Sequence, residues 1–533
     1  MSESLHPPAF DLVVIGAGIN GAGVARDASM RGLKVCVIDK SDIASGTSSW
    51  STRLIHGGLR YLEHWEFGLV RESLRERETL LKIAPHLVKP LPILIPIYKR
   101  GRRSSLQVRA GMLLYELLSY DKTLPRYSIL SRDETLQKVP GLESEELTAS
   151  FVYYDAQVEF AERLVLENIL DAQQHGTEVI TYGRVTRCLT RDGRVVGVEF
   201  VRNGQCKTVS GKVIINAAGP WVDHLLQTTG NPNRLIGGTK GSHIIVAPFS
   251  GAPSIAVYAE AQSDGRPFFI IPWNNNYLIG TTDIHFDGDP DQARCRRSEV
   301  DYLLAETNHV LPGANLTSTD ILFTYSGVRP LPFTHIKDEQ KITRRHFIRR
   351  HHELNNVYSL VGGKLTTYRQ LAEECVDVVF NNLEKTTPKC STADALLPGA
   401  RSLASCASDL SSNGLVNQLT RERLISIYGS RTRDLLNFCE RDARLRGPLN
   451  ETSRTLACEI VFAFEQELAQ TLADCLFRRT MSGFSSDLGN NEVEDAAAIA
   501  QRFLGWNTAR ARKEVEEYYA YIQRLAVPNE AAQ

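Results

Sequence analysis

"DLVVIGAGINGAGVARDASMRGLKVCVIDK", residues 11–40, decides the fold. Two β-branched runs, DLVVIG and KVCVID, flank a segment of helical character that stops at Gly32, which predicts strand, helix, strand. Gly16, Gly18 and Gly21 form G-x-G-x-x-G directly after the first run. In such a loop the first glycine makes the turn, the second lets a pyrophosphate approach the backbone, and the third lets helix pack on strand. The helix start, with Asn20 in its first turn, then offers unpaired N–H groups and a positive dipole end to the phosphates. Asp39 lies eighteen residues past Gly21 at the end of the second run, beside Lys40 and placed to bond a ribose hydroxyl. The expected unit is a parallel βαβ dinucleotide site.

Outward from this unit, 533 residues exceed what one core supports, so more than one domain is expected. The strand-like runs EVITYG, VVGVEFV, VIINAAG, HIIVAPF, FFIIPW and YLIGTTD crowd the middle third too closely to be joined by helical crossovers. A mixed or antiparallel sheet is therefore inserted into the parallel one. The Pro-, Ser- and Thr-rich stretch 386–402 reads as a linker, and the segments beyond it carry helical periodicity. The expected fold class is α/β: a Rossmann-like parallel sheet with an inserted substrate-binding sheet over 1–385, the linker, and an all-α domain over 403–533. Lys+Arg 61 against Asp+Glu 62 gives a formal net charge of -1, which excludes a dedicated nucleic-acid binder. Ten cysteines are scattered singly, so neither a metal site nor a disulfide framework is indicated and a reducing, cytoplasmic compartment fits. The N-terminus has no signal-peptide pattern, and no apolar run reaches the ~18 residues that cross a bilayer. Any membrane contact is expected to be peripheral.

The choice between NAD and FAD rests further along the chain. VIINAAGPWVD (213–223) is a strand ending in a small-residue turn at Ala218 and Gly219, and LVGGKLTTYR (360–369) supplies another strand, a glycine turn and a helix start around Gly363, Lys364, Leu365 and Thr366. A second helix N-terminus facing a ring that becomes anionic on reduction suits a flavin. Two such elements favour FAD held at both ends. Thr47, Ser48 and Ser49 add donors for the pyrophosphate.

With GAGINGAGVARDA, TSSWSTRLIHGGLRYLEHWEFGLVRESLRERETLLKIAPHL, NAAGPWVD, KGSHIIV, IPWNNNYLIGTTD, TYSGVRPL, GGKLTTYR and LADCLFRRT in hand, the chain resembles the FAD-dependent glycerol-3-phosphate dehydrogenases of the bacterial aerobic, quinone-reducing type. The resemblance spans nearly the whole chain. It implies oxidation of sn-glycerol 3-phosphate to dihydroxyacetone phosphate, hydride passing to FAD and electrons to a membrane quinone, in glycerol and glycerophospholipid catabolism. Thr52-Arg53 departs from a frequent Ser-Lys, and Asp39 stands where glutamate is also common. A related oxidase would use the same site with oxygen as acceptor. An amino-acid oxidase would need one carboxylate clamp rather than a basic set, and a non-catalytic FAD-binding regulator would not keep the substrate motifs.

The reaction needs a base for the C2 hydroxyl and cations for phosphate and oxygen. His56, beside two glycines, is the expected proton acceptor, with His243 as the alternative and Arg329 holding oxygen or phosphate. Arg60, Tyr61, Arg329 and Lys364 form the expected substrate set, Lys364 at the head of its helix. RRHFIRRHH (344–352) reads as a solvated hairpin. YKRGRRSSLQVRAGMLLYELLSY (98–120) joins basic residues to an apolar helix, the makeup of an interfacial element on the cytoplasmic face of the inner membrane. A homodimer is left open.

Overall fold

The computed structural model describes residues 9–99, 101, 103–228, 234–334, 343–351, 353–412 and 416–529. β1 (Phe10–Ile15), α1 (Ile19–Met30) and β2 (Val35–Ile38) form where the sequence places them. β1 runs parallel to β2, Leu12 opposite Val35, and on its other side parallel to the end of strand Gln205–Asn216, Leu12 opposite Val213. Strands Leu354–Val361 and Glu178–Ile180 extend the parallel sheet on its two flanks. Alternate β1 side chains enter different cores. Leu12 and Val14 pack with α1 and the helices Ala161–Gln174 and Tyr368–Asn382, while Val13 and Ile15 pack with the meander Arg184–Arg191 and Arg194–Arg202. A sheet buried on both faces reads as an unbroken apolar run, which is why DLVVIG shows no alternation.

The inserted sheet is also present. Its order is Ile321–Arg329, Thr239–Val246, Asn276–Gly280, Pro267–Trp273, Ala256–Glu260, Val88–Tyr98, Leu147–Val158 and Leu54–Ile55. Every pair in that path is antiparallel except Ala256–Glu260 on Val88–Tyr98. The strand Val88–Tyr98 is hard to read from sequence because Pro90, Pro92 and Pro96 demote the run. The three share one phase of the strand, so their missing N–H groups face the neighbour that pairs only at Ile93 and Leu94.

Beyond Leu403 the described residues are helical, with helices at Gln418–Tyr428, Thr432–Arg441, Ala457–Gln466, Leu472–Arg478, Val493–Phe503 and Thr508–Ile522. The stretch 386–402 does not hang free. Leu397 is buried and its N–H donates to Ile83 O, and Gly399 N–H donates to Glu167 Oε2 at 3.0 Å.

The turn into α1 has no room for a side chain at its third glycine: a Cβ on Gly21 would stand 1.9 Å from Gly16 O. Gly21→Ala should therefore cost ~1–3 kcal/mol of stability through forced backbone shifts, seen as a lower urea midpoint; an unchanged midpoint would show the turn to be looser than this geometry.

Candidate active site

Two clefts adjoin at Thr47, Ser51, Pro330 and Gly363–Leu365. The first, about 720 Å³, follows the start of α1. Of the residues expected to hold the dinucleotide, Gly16, Gly18, Asn20, Asp39, Lys40, Thr47, Ser48, Ala218, Gly219, Gly363, Lys364 and Leu365 line it. Gly21 packs beneath it. Ser49 is a correction: its buried hydroxyl donates to Ala44 O at 2.6 Å and it lines neither cleft, because the loop turns it inward.

α1 begins at Gly18 with no side-chain cap of its own, and Ser48 Oγ accepts from Ile19 N–H at 3.0 Å. Asp39 accepts from Ala17 N–H (2.6 Å) and Ser41 N–H (2.8 Å), and burial pushes its carboxyl up to about 6. Lys40 pairs with Asp291 at 2.5 Å and lies 4.1 Å from the Trp221 ring centroid, across the cleft. Asn20 Oδ1 and Trp221 Nε1 are buried and make no hydrogen bond among the described residues. Both belong to residues of the first cleft, so the site presents one unmatched acceptor and one unmatched donor. A polar, polyhydroxylated dinucleotide such as FAD fits that set, and the bare backbone at Gly16, Gly18 and Gly363 lets it approach.

The second cleft, about 470 Å³, gathers His56, Arg60, Tyr61, His243, Arg329, Lys364 and Thr366 from four separate stretches of chain. Sheet register places one cation and one base. Thr239 lies opposite Arg329 and His243 opposite Tyr325, so Arg329 and His243 come from neighbouring strands. His243 Nε2 shares a hydrogen bond with Thr52 Oγ1 (2.9 Å), its ring lies 4.8 Å from that of Tyr325, and its buried Nδ1 has no partner among the described residues. Burial, then Arg329 and Arg53, hold the His243 imidazole well below its ordinary range. Burial pushes His56 down to about 4, so both imidazoles are neutral at pH 7. His56 is held through its backbone, which donates to Thr366 Oγ1 at 3.2 Å.

Lys364 requires a correction. The helix begins at Tyr368, and Lys364 stands in the turn before it, because Gly362 and Gly363 both adopt left-handed φ and wind the chain away from helical geometry. Its Nζ donates to Ser73 Oγ at 2.7 Å and lies 4.7 Å from the Tyr61 ring centroid; burial lowers it to about 8. Sequence reading also left out Arg344, Arg266 and Asp283. Asp283 bridges Arg329 (2.9 Å) and Arg344 (3.0 Å), and Arg266 donates to its carbonyl. Burial raises the Asp283 carboxyl, yet the two guanidinium groups outweigh it and hold the acid below its usual value. Arg344 opens the basic run read as solvated; Phe347–His351 does form a hairpin strand with Leu354–Val361, but Arg344 lines the cleft. His352 lies outside the described residues.

Comparison with known proteins agrees with this architecture. Residues 11–369 match the family model for FAD dependent oxidoreductases, and residues 390–511 match that for the C-terminal domain of alpha-glycerophosphate oxidase. A glycerol-3-phosphate dehydrogenase of Synechocystis sp. is 44% identical, covering 98% of each chain. An aerobic glycerol-3-phosphate dehydrogenase of Staphylococcus aureus is 32% identical over 97% of this chain and 95% of its own. The structure of the Bacillus halodurans glycerol-3-phosphate dehydrogenase complexed with FAD superposes with a TM-score of 0.79 at 29% identity, covering 98% of this chain and 96% of that one. With glycine loop, twin clefts and full-length similarity in agreement, the chain belongs to the FAD-dependent glycerol-3-phosphate dehydrogenase family.

Proposed function

We propose that the protein oxidises sn-glycerol 3-phosphate to dihydroxyacetone phosphate and passes the electrons to a membrane quinone. The observation that carries this is a cleft holding two neutral histidines and several cations, joined edge to edge with the dinucleotide cleft. FAD, when bound, supplies the hydride acceptor. The chain supplies the rest. Arg329, Arg344, Arg266 and Lys364 neutralise a phosphate dianion, and Asp283 keeps the first two arginines fixed before substrate arrives, which removes an ordering cost at the moment of binding. A neutral imidazole accepts the C2 hydroxyl proton as hydride departs, and an adjacent guanidinium steadies the developing carbonyl oxygen. His56 is the base in this reading, because it lines the cleft together with Gly58, while the His243 Nε2 is already engaged by Thr52.

The acceptor side points to a lipid surface on the cytoplasmic face of the inner membrane. No helix among the described residues is long and apolar enough to cross a bilayer. Helix Ser105–Leu118, capped by Ser104, buries Met112 and Tyr115 but exposes Leu106 (77%), Leu113 (55%) and Leu117 (69%), with Tyr120 (77%) just beyond it. At 100° per residue the three leucines fall within about 40° of arc. Trp65, 79% exposed, ends the turn Leu59–His64 that lines the second cleft and contacts this helix. Lys99 and Arg109 are exposed nearby, Arg103 pairs with Glu63 and Glu260, and Arg100 and Arg102 lie outside the described residues. A monotopic docking face beside the substrate mouth gives a quinone a short route to the flavin.

Anaerobic addition of glycerol 3-phosphate to the purified holoprotein should bleach the flavin absorbance, and His56→Asn should slow that step ~10²-fold or more. Bleaching of His56→Asn at the unmodified rate would transfer the role to His243. Arg344→Ala should raise KM for glycerol 3-phosphate by about 10- to 100-fold, the scale of one charge-assisted hydrogen bond, with kcat far less affected; an unchanged KM would return Arg344 to the surface. Leu113→Glu with Leu117→Glu should lower co-sedimentation with anionic vesicles by ~100-fold, since each leucine contributes about 1.5–3 kcal/mol when buried. Retained sedimentation would count against this face. Hydrogen peroxide formed in step with substrate would identify oxygen rather than quinone as acceptor.

A further inference from the structure

The motif LADCLFRRT is absorbed by neither cleft chemistry nor membrane contact. It ends helix Leu472–Arg478, and its two arginines reach across to the first unit. Asp42, with no exposed side-chain surface, accepts a two-pronged contact from Arg479 (Nη1 and Nη2, both 2.8 Å) and a third from Arg478 Nε at 2.6 Å. Arg478 continues to Asp474 at 2.6 Å, and Asp474 accepts from Tyr182 Oη at 2.7 Å. The other end of this chain of bonds is the dinucleotide loop. Tyr182 N–H donates to Ser41 O (3.1 Å) and its neighbour Gly183 N–H to Asp39 O (2.7 Å), so Ser41 and Asp42 are fixed by groups that touch, or belong to, the helical domain, and Asp39 by the residue next to one of them. Thr471, Asp474, Arg478, Glu514, Tyr521 and Arg524 complete one wall of the first cleft.

A carboxylate buried this fully is tolerable only while its cations stay in place. Besides bonds with Ala17, Ile19 and Val328, the loop from Asp39 to Ser48 thus depends on the docked helical domain for the charges that neutralise Asp42. Resting on the assignment of FAD to the first cleft, we propose that the C-terminal helical domain is part of the cofactor site: Arg478 and Arg479, through Asp42 and the Asp474–Tyr182 bond, couple docking of that domain to occupancy of the cleft by FAD. Such coupling is reciprocal, so FAD must tighten the domain by the factor by which the domain tightens FAD. Arg479, which does not line the cleft, is a positioning residue, while Arg478, Asp474 and Tyr182 both line it and hold the loop.

The test titrates apoprotein with FAD by flavin fluorescence quenching and follows amide exchange in the helix Leu472–Arg478 with and without FAD. In the unmodified protein FAD should slow exchange in that helix. Arg478→Lys and Tyr182→Phe should each raise the FAD dissociation constant about tenfold, within the usual range of coupling between sites, and abolish the FAD-dependent protection. A purely structural role would lower the melting temperature of the apoprotein and leave both of these FAD-linked readouts alone. Tyr182→Phe leaves both arginines on Asp42, so the test survives if Arg478→Lys fails to fold. Asp39→Ala separates the two levels. If it loses FAD while the other variants bind as the unmodified protein does, the clamp is refuted and the cleft stands. If it too binds FAD normally, the cleft assignment falls and the clamp with it.

Discussion

A single guanidinium without exposed surface holds the three parts of this molecule together. Arg53 makes a two-pronged contact with Glu162 (2.8 and 2.9 Å), which belongs to a helix of the parallel-sheet unit. Its central carbon lies 4.6 Å from the ring centroid of Trp273 in the inserted sheet and 4.8 Å from that of Phe484 in the helical domain, two rings that also pack on each other at 5.5 Å. It also donates to Ser49 O and Glu159 O, which fixes the loop that separates the two clefts. An ammonium could reproduce one of these contacts, whereas the planar fork of five donors is needed to make the two-pronged pair and both carbonyl bonds at once. Breaking such a buried pair from one side costs about 3–5 kcal/mol, because the orphaned charge remains. The Thr52-Arg53 departure noted in the sequence thus has a structural purpose, and Thr52, the other half of it, holds His243.

What was legible in the sequence follows from how local each signal is. The βαβ unit, the strand-like runs of the middle third and the late helices are written in neighbours a few residues apart. Helix onset after LVGG was misplaced because two consecutive left-handed glycines displace it by a turn, and no periodicity reports φ. The strand Val88–Tyr98 was hidden by prolines whose harmlessness depends on how short a partner strand is. Arg344 was hidden for a different reason: in RRHFIRRHH the first arginine resembles its neighbours, and only Asp283, sixty-one positions away, singles it out. Ser49 was misjudged because adjacent hydroxyls in a loop point to opposite sides, one to the helix start and one into the interior.

Electrostatics here are local rather than global. A chain of net charge -1 concentrates Arg60, Arg266, Arg329, Arg344 and Lys364 around one cavity. Burial strengthens each of their fields and lowers the Lys364 ammonium toward neutrality. Asp283 pairs Arg329 with Arg344 before a dianion arrives, and Glu66 and Glu72 act in the same sense on Lys364. The same economy governs the histidines, which stay neutral because burial and nearby cations act in one direction.

The buried charge pairs across the units also bear on how the chain is made. Asp42 leaves the ribosome 437 residues before Arg479, and Arg163 emerges 304 residues before its partner Glu467. During that interval neither charge can be sealed into the interior, so the segment that comes out first stays hydrated at the surface later occupied by the helices. The buried pairs that join the nucleotide-binding half to the helices can therefore form only after the segment carrying Glu467, Arg478 and Arg479 has been made.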